Sequence, residues 1–343
     1  MTSSQLQIVL SEPGRFEAMP GPVPVAGEGE ALVRIRHVGV CGTDIHAFHG
    51  RQPFFEYPRI LGHELGAEVI SAPEGCGLIP GDRVAVEPYL NDPGSAASRR
   101  GKTNCCERLR VLGVHCDGGM RPVIAVPASK LHVSRRLGTE SLALVEMLCI
   151  GRHAVDRAQV ETEEWALVIG AGPIGMSVLQ FLLTKTRRVV VADVSEERLA
   201  FCRERLGADL TLLVRQPDRV ESDLRDLTGT GELPTVIFDA TGNAASMMST
   251  FTLAAHGGRI VFVGLFQGEV RFDDPNFHRR ELSVMSSRNA TAEDFRQVIG
   301  AIESGAVDTA PWITHRMRLE EVPDRFASVI ASPDLRKAVV EVE

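Results

Sequence analysis

The chain has 343 residues, of which 44% are hydrophobic and 24% charged, so it is long enough for about two domains of ordinary size. Its net charge of −8 and pI near 5.7 indicate no excess of positive charge with which to bind nucleic acid or an anionic membrane. Seven cysteines, an odd number without a secretory leader in residues 1–4, favour reduced thiols in the cytoplasm over a disulfide framework.

The first 135 residues have the sequence pattern of a β-rich domain. Residues 33–36 alternate between apolar and charged side chains like a half-buried strand, and turns rich in proline and glycine punctuate the surrounding sequence. We expect this part of the chain to form antiparallel sheet.

The same region carries residues typical of a zinc site. Cys41 supplies a thiolate, Thr43 a hydroxyl and His46 an imidazole, and the adjacent pair His63 and Glu64 adds a nitrogen and an oxygen. A catalytic zinc keeps three protein ligands and one open position, whereas four protein ligands close a structural zinc. The mixed ligand set favours the open type. Taken singly, a cysteine or a histidine in such a stretch is more often a packed residue, so the hypothesis depends on the combination.

From about residue 139 the pattern changes to alternating helices and strands. The predicted strands are 166–169, 189–192, 210–214, 236–239, 260–264 and 282–285, and the predicted intervening helices are 195–206, 220–227 and 243–255. Short apolar strands joined by crossover helices predict a doubly wound parallel sheet, and therefore an α/β fold.

A glycine motif opens this second region. Gly170, Gly172 and Gly175, with Pro173 and Ile174 between the last two, follow an apolar strand and begin a predicted helix at residues 176–183. The next strand ends on an acid about 20 residues beyond the glycines, as in dinucleotide-binding units. The glycines let backbone amides approach a pyrophosphate at the helix N-terminus. We reject a membrane span over the uncharged residues 165–183, because the glycines and proline belong to this turn.

The acid that follows is Asp193. Its carboxylate would accept hydrogen bonds from the adenosine ribose hydroxyls and would repel a 2′-phosphate. The sequence therefore favours NAD over NADP.

Together these motifs resemble the zinc-dependent medium-chain dehydrogenase/reductase family of alcohol and polyol dehydrogenases, end to end, and most of all its sorbitol, L-threonine and L-galactonate dehydrogenase-like branch. The resemblance implies a GroES-like β-rich catalytic domain at residues 1–147 and 287–343 and a Rossmann NAD-binding domain at residues 148–286. It implies a zinc-dependent, NAD-linked oxidoreductase that interconverts a secondary alcohol of a polyol or sugar acid and its ketone. A homodimer or homotetramer is expected by the same resemblance, with no nucleic-acid or membrane partner.

The resemblance also assigns roles around the metal. The proton of the alcohol would pass through Thr43 and the nicotinamide ribose to His46, and Asp44 would orient the zinc ligand His63. Turn chemistry and helix capping are the alternative for Thr43 and Asp44.

Glu146 lies where family members carry another residue of the zinc site. It would bind zinc directly or through a water, and Glu64 would exchange with that water during turnover. The sequence leaves these alternatives open. A glutamate flanked by apolar residues is costly to bury without a partner, which favours a role near the metal.

Further contacts follow from the family alone. The implied cofactor contacts are Arg198, Thr241, Val263, Gly264, Leu265 and Arg288. The implied substrate contacts are Phe48, Arg51, Phe54 and His115. Core packing for the phenylalanines and a solvated position for Arg51 remain alternatives. Arg288 would serve either the substrate or the cofactor pyrophosphate, and Arg198 either the adenine or the helix surface.

One loop departs from the family pattern. Many members bind a second, structural zinc through four cysteines, and the corresponding positions here are Asp92, Ser95, Ser98 and Cys106. Serine is not a competent replacement for a thiolate, so we expect one catalytic zinc and no structural zinc. Residues 91–103 should be mobile, or held by hydrogen bonds or a partner subunit. An improvised site using Cys105, Cys106 and Cys116 is disfavoured by their spacing.

Two rival classes are weighed against a zinc-dependent dehydrogenase. A zinc-free quinone reductase of the same fold would lack the pair Cys41 and His63. An NAD-binding regulatory or structural protein on a dehydrogenase scaffold would not need the intact zinc and proton-relay residues. A dehydrogenase for another alcohol, such as L-threonine, is the nearest alternative.

Overall fold

The computed structural model describes residues 4–53 and 55–343, which divide into two compact units. The first unit is formed by Met1–Met147 and Ala290–Glu343, and the second by Leu148–Asn289. The chain thus re-enters the first unit at Ala290, three residues after residue 287, the position that the family resemblance implied. No helix in the described parts of the chain is both long and apolar enough to cross a bilayer.

The first unit begins with ten strands and four helices. The strands before the chain leaves this unit are β1 (Ser4–Glu12), β2 (Arg15–Pro22), β3 (Glu30–Gly39), β4 (Arg59–Ile60), β5 (Glu64–Ser71), β6 (Arg83–Val86), β7 (Tyr89–Leu90), β8 (Arg110–Val111), β9 (Val123–Pro127) and β10 (Leu131–Val133). The helices are α1 (Gly42–Phe48), α2 (Ala96–Arg99), α3 (Thr139–Ala143) and α4 (Val145–Ala158). Helix α4 continues into the second unit, which begins at Leu148.

The second unit alternates strands and helices. Its strands are β11 (Ala166–Ile169), β12 (Val189–Asp193), β13 (Leu210–Leu213), β14 (Val236–Asp239), β15 (Arg259–Phe262) and β16 (Ser283–Ser286), and its helices are α5 (Pro173–Leu182), α6 (Glu196–Glu204), α7 (Val220–Thr228), α8 (Ala244–Leu253) and α9 (Asp274–Arg279). After the return the elements are α10 (Ala292–Glu303), β17 (Ile313–Arg318), α11 (Val322–Ile330) and β18 (Lys337–Glu341).

The sheet of the second unit is wholly parallel, in the order β13-β12-β11-β14-β15-β16. Strands β11, β12 and β14 are buried along their whole length, as expected where helices cover both faces of a parallel sheet. The order reverses between β11 and β14, and open α/β sheets bind ligands outside the carboxyl ends of the strands at such a point. The predicted doubly wound sheet is confirmed.

The first unit is built on an antiparallel core. Its largest sheet has the order β10-β6-β5-β3-β18 with β17 parallel at the end, and β9 also pairs with β3. Strand β3 ends on Gly39, directly opposite Glu64 at the start of β5. The register of these two strands therefore brings the segment after β3, which includes Cys41, to the beginning of β5.

The loop that lacks the structural-zinc cysteines is held by polar contacts of its own. The Arg108 guanidinium donates to the Asp92 carboxylate and holds the pKa of Asp92 below its usual value. Ser95 Oγ lies 2.9 Å from Ser98 Oγ, and the Cys106 thiol accepts from the Asp92 backbone N–H at 3.3 Å. Hydrogen bonds thus join Asp92 to Cys106 and Ser95 to Ser98, two pairs that together make up the four positions compared with the structural-zinc pattern.

Candidate metal centre and dinucleotide site

Three predicted zinc ligands converge in the first unit. One ligand atom each of Cys41, His63 and Glu64 lies within 4.8 Å of the other two. Among residues 4–53 and 55–343, these three form the only group of three or more such side chains with that spacing. His63 is 4% exposed and Glu64 is fully buried, whereas Cys41 is half-buried, so two of the three ligands are shielded from bulk water.

Glycines create the space for these ligands. A Cβ atom added at Gly39 would lie 2.1 Å from Glu64 Oε2, so only glycine leaves room for that carboxylate. Gly62, directly before His63, has φ of +96°, a conformation that L-residues with a side chain rarely adopt. The backbone around the cluster is therefore specialised for the side chains that it holds.

Asp44 supports two of the ligands. Its Oδ2 accepts a hydrogen bond from the Cys41 backbone N–H at 2.9 Å, and its Oδ1 lies 3.7 Å from His63 Nδ1. Burial lowers the pKa of His63, but the charges of Asp44 and Cys41 outweigh it and hold that pKa well above its ordinary value. The negative surroundings therefore attract a cation, and a metal ion would replace the histidine proton.

Lys337, which the sequence analysis missed, forms a buried ion pair with Glu64. Burial lowers the pKa of Lys337, but Glu64 and Cys41 outweigh this and hold the ammonium charged. The lysine begins β18, which pairs with β3, and no local motif marks it. Only the sheet order brings it beside Glu64.

Glu146 lies outside the three-residue cluster. It is 6% exposed near the start of α4, and burial raises its pKa. The Tyr89 hydroxyl donates a hydrogen bond to Glu146 Oε1. The second acid of the predicted zinc site thus has its own hydrogen-bond donor, Tyr89, which the sequence analysis also missed.

The donor set fits zinc. A thiolate, an imidazole nitrogen and a carboxylate oxygen are its usual protein ligands, and three of them leave one position open. Within the described residues, Glu64 Oε1 is buried without a hydrogen-bond partner. Buried polar atoms are normally satisfied, and a bound ion would account for such exceptions.

The predicted proton-relay residues lie on α1, next to Cys41. Thr43 is half-buried and His46 is exposed, three residues further along the helix. Residues three apart share one face of a helix, so the two side chains lead from the cluster toward solvent.

The predicted substrate residues have different surroundings. Phe48 packs against the rings of Phe16 and Phe326, with centroids 5.7 and 5.1 Å away, which favours the core-packing alternative. Arg51 is exposed just after α1, and the exposed His115 accepts a hydrogen bond from the Val111 backbone at 3.1 Å. Phe54 lies outside the described residues.

The glycine motif of the second unit forms a tight strand-to-helix turn. Gly170 has φ of +96°, and a Cβ at Gly175 would lie 1.7 Å from the Gly170 carbonyl oxygen. The space beside Gly172 is open, with no atom within 4 Å of an added Cβ. Helix α5 then begins with Pro173 and Ile174. A pyrophosphate could therefore approach the backbone amides at the N-terminus of this helix through the open space beside Gly172.

Asp193 ends β12 and is 7% exposed. Its Oδ2 accepts from the Ala171 N–H at 2.6 Å and its Oδ1 from the Ser195 N–H at 2.8 Å. The acid therefore braces the glycine turn, and each oxygen keeps a further lone pair for a ribose hydroxyl.

The other predicted cofactor residues cluster at the carboxyl ends of β14 and β15. Thr241 donates to the Asp239 carboxylate at 2.6 Å, and the Gly264 N–H donates to the Asp239 carbonyl at 2.9 Å. Val263 follows β15, and the next-but-one residue, Leu265, is 76% exposed. Arg198 and Arg288 are both exposed, on α6 and after β16.

Comparisons with known proteins show which family the chain resembles. Residues 173–304 match the family model described as a zinc-binding dehydrogenase, and residues 27–135 match the alcohol dehydrogenase GroES-like domain. An L-galactonate-5-dehydrogenase from Escherichia coli K12 is 39% identical over 97% of this chain and 98% of its own.

Two solved structures share the fold. An alcohol dehydrogenase from Escherichia coli CFT073, complexed with NADH, has a TM-score of 0.90 at 28% identity and covers 99% of both chains. A zinc-binding dehydrogenase from Sinorhizobium meliloti 1021, bound to NADP, has a TM-score of 0.89 at 26% identity, also over 99% of both chains.

Proposed function

The chain belongs to the zinc-binding alcohol dehydrogenase family, and we propose that it is an NAD-linked oxidoreductase that interconverts a secondary alcohol of a polyol or sugar acid and its ketone. The observation that carries the proposal is the buried cluster of Cys41, His63 and Glu64, whose ligand atoms lie within 4.8 Å of one another. A protein that only bound NAD would not need this cluster.

The chemistry divides between a proton and a hydride. A zinc ion held by the cluster would supply Lewis acidity, which lowers the pKa of an alcohol oxygen toward neutrality. Thr43, beside the ligand Cys41, would take the alcohol proton into a hydrogen-bonded path. His46, exposed on the same helix face, would release it to solvent. Asp44 would keep His63 in the orientation that presents a ring nitrogen to the metal.

The cofactor preference rests on Asp193. Its buried carboxylate lies at the end of β12, where a ribose 2′-hydroxyl would donate to it and a 2′-phosphate would be repelled. Because relatives of this fold have been solved with either NADH or NADP, the fold alone does not decide the cofactor. Asp193 supports NAD.

The substrate class is proposed from the similar L-galactonate-5-dehydrogenase. A sugar acid offers a secondary alcohol for oxidation and a carboxylate for recognition. The exposed guanidinium of Arg51, which follows the metal-site helix α1, is a suitable partner for that carboxylate.

The test is turnover by the zinc-loaded full chain, read as NADH absorbance. The panel should contain L-galactonate, its epimers, the matching polyols and L-threonine, each with NAD and with NADP. We expect NAD reduction with a sugar acid or polyol. Turnover on L-threonine alone would reassign the substrate, and NAD binding without any turnover would support the non-enzymatic alternative.

A further inference from the structure

The two acids at the metal centre are held by different partners. Glu64 is paired with a cation, Lys337, and belongs to the ligand cluster. Glu146 accepts from a neutral donor, Tyr89, and does not belong to it. The partner of Glu146 therefore bears on how many ligands the metal receives.

Tyr89 is fixed in place on several sides. It is 2% exposed, its ring packs edge-to-face against Phe295 with centroids 6.3 Å apart, and its backbone pairs with Val111 of β8. Its hydroxyl donates to Glu146 Oε1, so this oxygen is occupied on one side by a donor that cannot move away.

An open catalytic zinc requires a fourth position free of protein ligands. Cys41, His63 and Glu64 already supply three ligands, and the charge of Glu146 acts on both His63 and Glu64. Were the Glu146 carboxylate to rotate onto the ion, it would close the fourth position, and the hydrogen bond from Tyr89 to its Oε1 opposes that rotation.

We propose that Tyr89 is a positioning residue that tethers Glu146 away from the metal and so keeps the fourth coordination position open to water and substrate. This inference rests on the proposed zinc-dependent function. It also gives the loop of residues 91–106 a role, because β7 and β8 form the base of that loop. Lys130 anchors this base by donating to Asn91 Oδ1 at 2.8 Å and to Glu87 Oε1 at 2.5 Å.

The decisive variant is Tyr89→Phe, which removes only the hydroxyl and keeps the ring against Phe295. The control is Tyr57→Phe, since Tyr57 is the chain's other tyrosine and its hydroxyl donates to a backbone carbonyl, that of Ala47. Each full-length protein is loaded with Co²⁺ for its visible spectrum and with Zn²⁺ for the rate of metal release to a chromogenic chelator, both without substrate.

In Tyr89→Phe we expect Glu146 to become a fourth protein ligand. The cobalt spectrum should change, zinc should leave more slowly, and kcat should fall by about 10–100-fold, as is usual when the support of a metal site is removed. Adding Glu146→Gln to Tyr89→Phe should restore the spectrum and the release rate, and Tyr57→Phe should match the wild type.

A wild-type spectrum and release rate in Tyr89→Phe would overturn the tether and leave Tyr89 a packing residue. Faster zinc release would overturn it as well, because Glu146 would then assist metal binding. Glu146→Gln alone should not alter release, and a rapid loss of zinc from it would show Glu146 to be a direct ligand. If the wild type holds no metal at all, the proposed function fails instead.

Discussion

Lys337→Met should destabilise the metal-free protein much more than the zinc-loaded protein. Lys337 is 2% exposed and pairs with the fully buried Glu64. Removing one partner of a buried ion pair costs about 3–5 kcal/mol, because the remaining charge stays buried alone. With a urea dependence of about 2–3 kcal/mol per molar for a protein of this size, the unfolding midpoint should fall by about 1–2 M.

Zinc changes that result. When the ion is bound, Glu64 still faces a divalent cation after the lysine is lost, so most of the cost disappears. By linkage, zinc must then bind Lys337→Met more tightly than the wild type. Lys337→Met lowers the free energy of unfolding by one amount without zinc and by a smaller amount with zinc. The zinc affinity should rise about tenfold for each 1.4 kcal/mol of difference between these two amounts.

The assay is urea unfolding with excess chelator and with saturating zinc, together with zinc affinity by chelator competition. Arg36→Met is the control, because Arg36 and Glu68 form a partly buried ion pair of the same unit, with an N–O distance of 2.9 Å, outside the ligand cluster. This control should lose equal stability in both metal states. If Lys337→Met lost equal stability with and without zinc, and its zinc affinity were unchanged, zinc would not compensate the charge of Glu64 and the prediction would be wrong.

Three further changes follow from the structure. Gly39→Ala places a Cβ 2.1 Å from Glu64 Oε2, so zinc affinity measured by chelator competition should fall by about 10–100-fold. Asp193→Ala should lower kcat/KM for NAD, because the acceptor for the ribose hydroxyl is lost. The preference for NAD, measured as kcat/KM for NAD divided by kcat/KM for NADP, should therefore decrease. Arg108→Ala removes the donor to Asp92, so amide exchange should accelerate in residues 91–106, while metal analysis still finds one zinc per chain.

Two of these changes have a matched control variant. Gly138→Ala should leave zinc affinity unchanged, since no atom lies within 4 Å of the added Cβ. Arg296→Ala removes a similar surface pair with Glu293 and should not affect the loop. Equal use of NADP and NAD by the wild type would contradict the role of Asp193. Two tightly held zincs per chain would contradict the expected metal count.

The fold could be predicted largely because its signals are local. The apolar strands of the second unit, the glycines after β11 and the acid that ends β12 all depend on short-range periodicity and turn chemistry. The same holds for Cys41 and His63, whose ligand types stand in short motifs. Resemblance to a family then supplied the return of the chain to the first unit, which periodicity does not reveal.

The partners of the two acids could not be predicted in this way. Lys337 reaches Glu64 through the pairing of β18 with β3, and Tyr89 reaches Glu146 through the folding of the first unit. Neither residue stands in a motif, and a buried lysine looks like a surface lysine in the sequence. The loop shows the same limit, because the sequence showed the missing thiolates but did not identify the hydrogen bonds that replace them.

A single zinc centre, held by Cys41, His63 and Glu64, should be required for alcohol oxidation. The most direct measurement strips the full-length protein with a chelator, returns zinc in steps, and follows NAD reduction on the best sugar acid or polyol. We expect turnover to disappear on stripping and to return in proportion to zinc up to one ion per chain, with no recovery in Cys41→Ser. Undiminished turnover by the stripped protein would contradict the requirement for zinc.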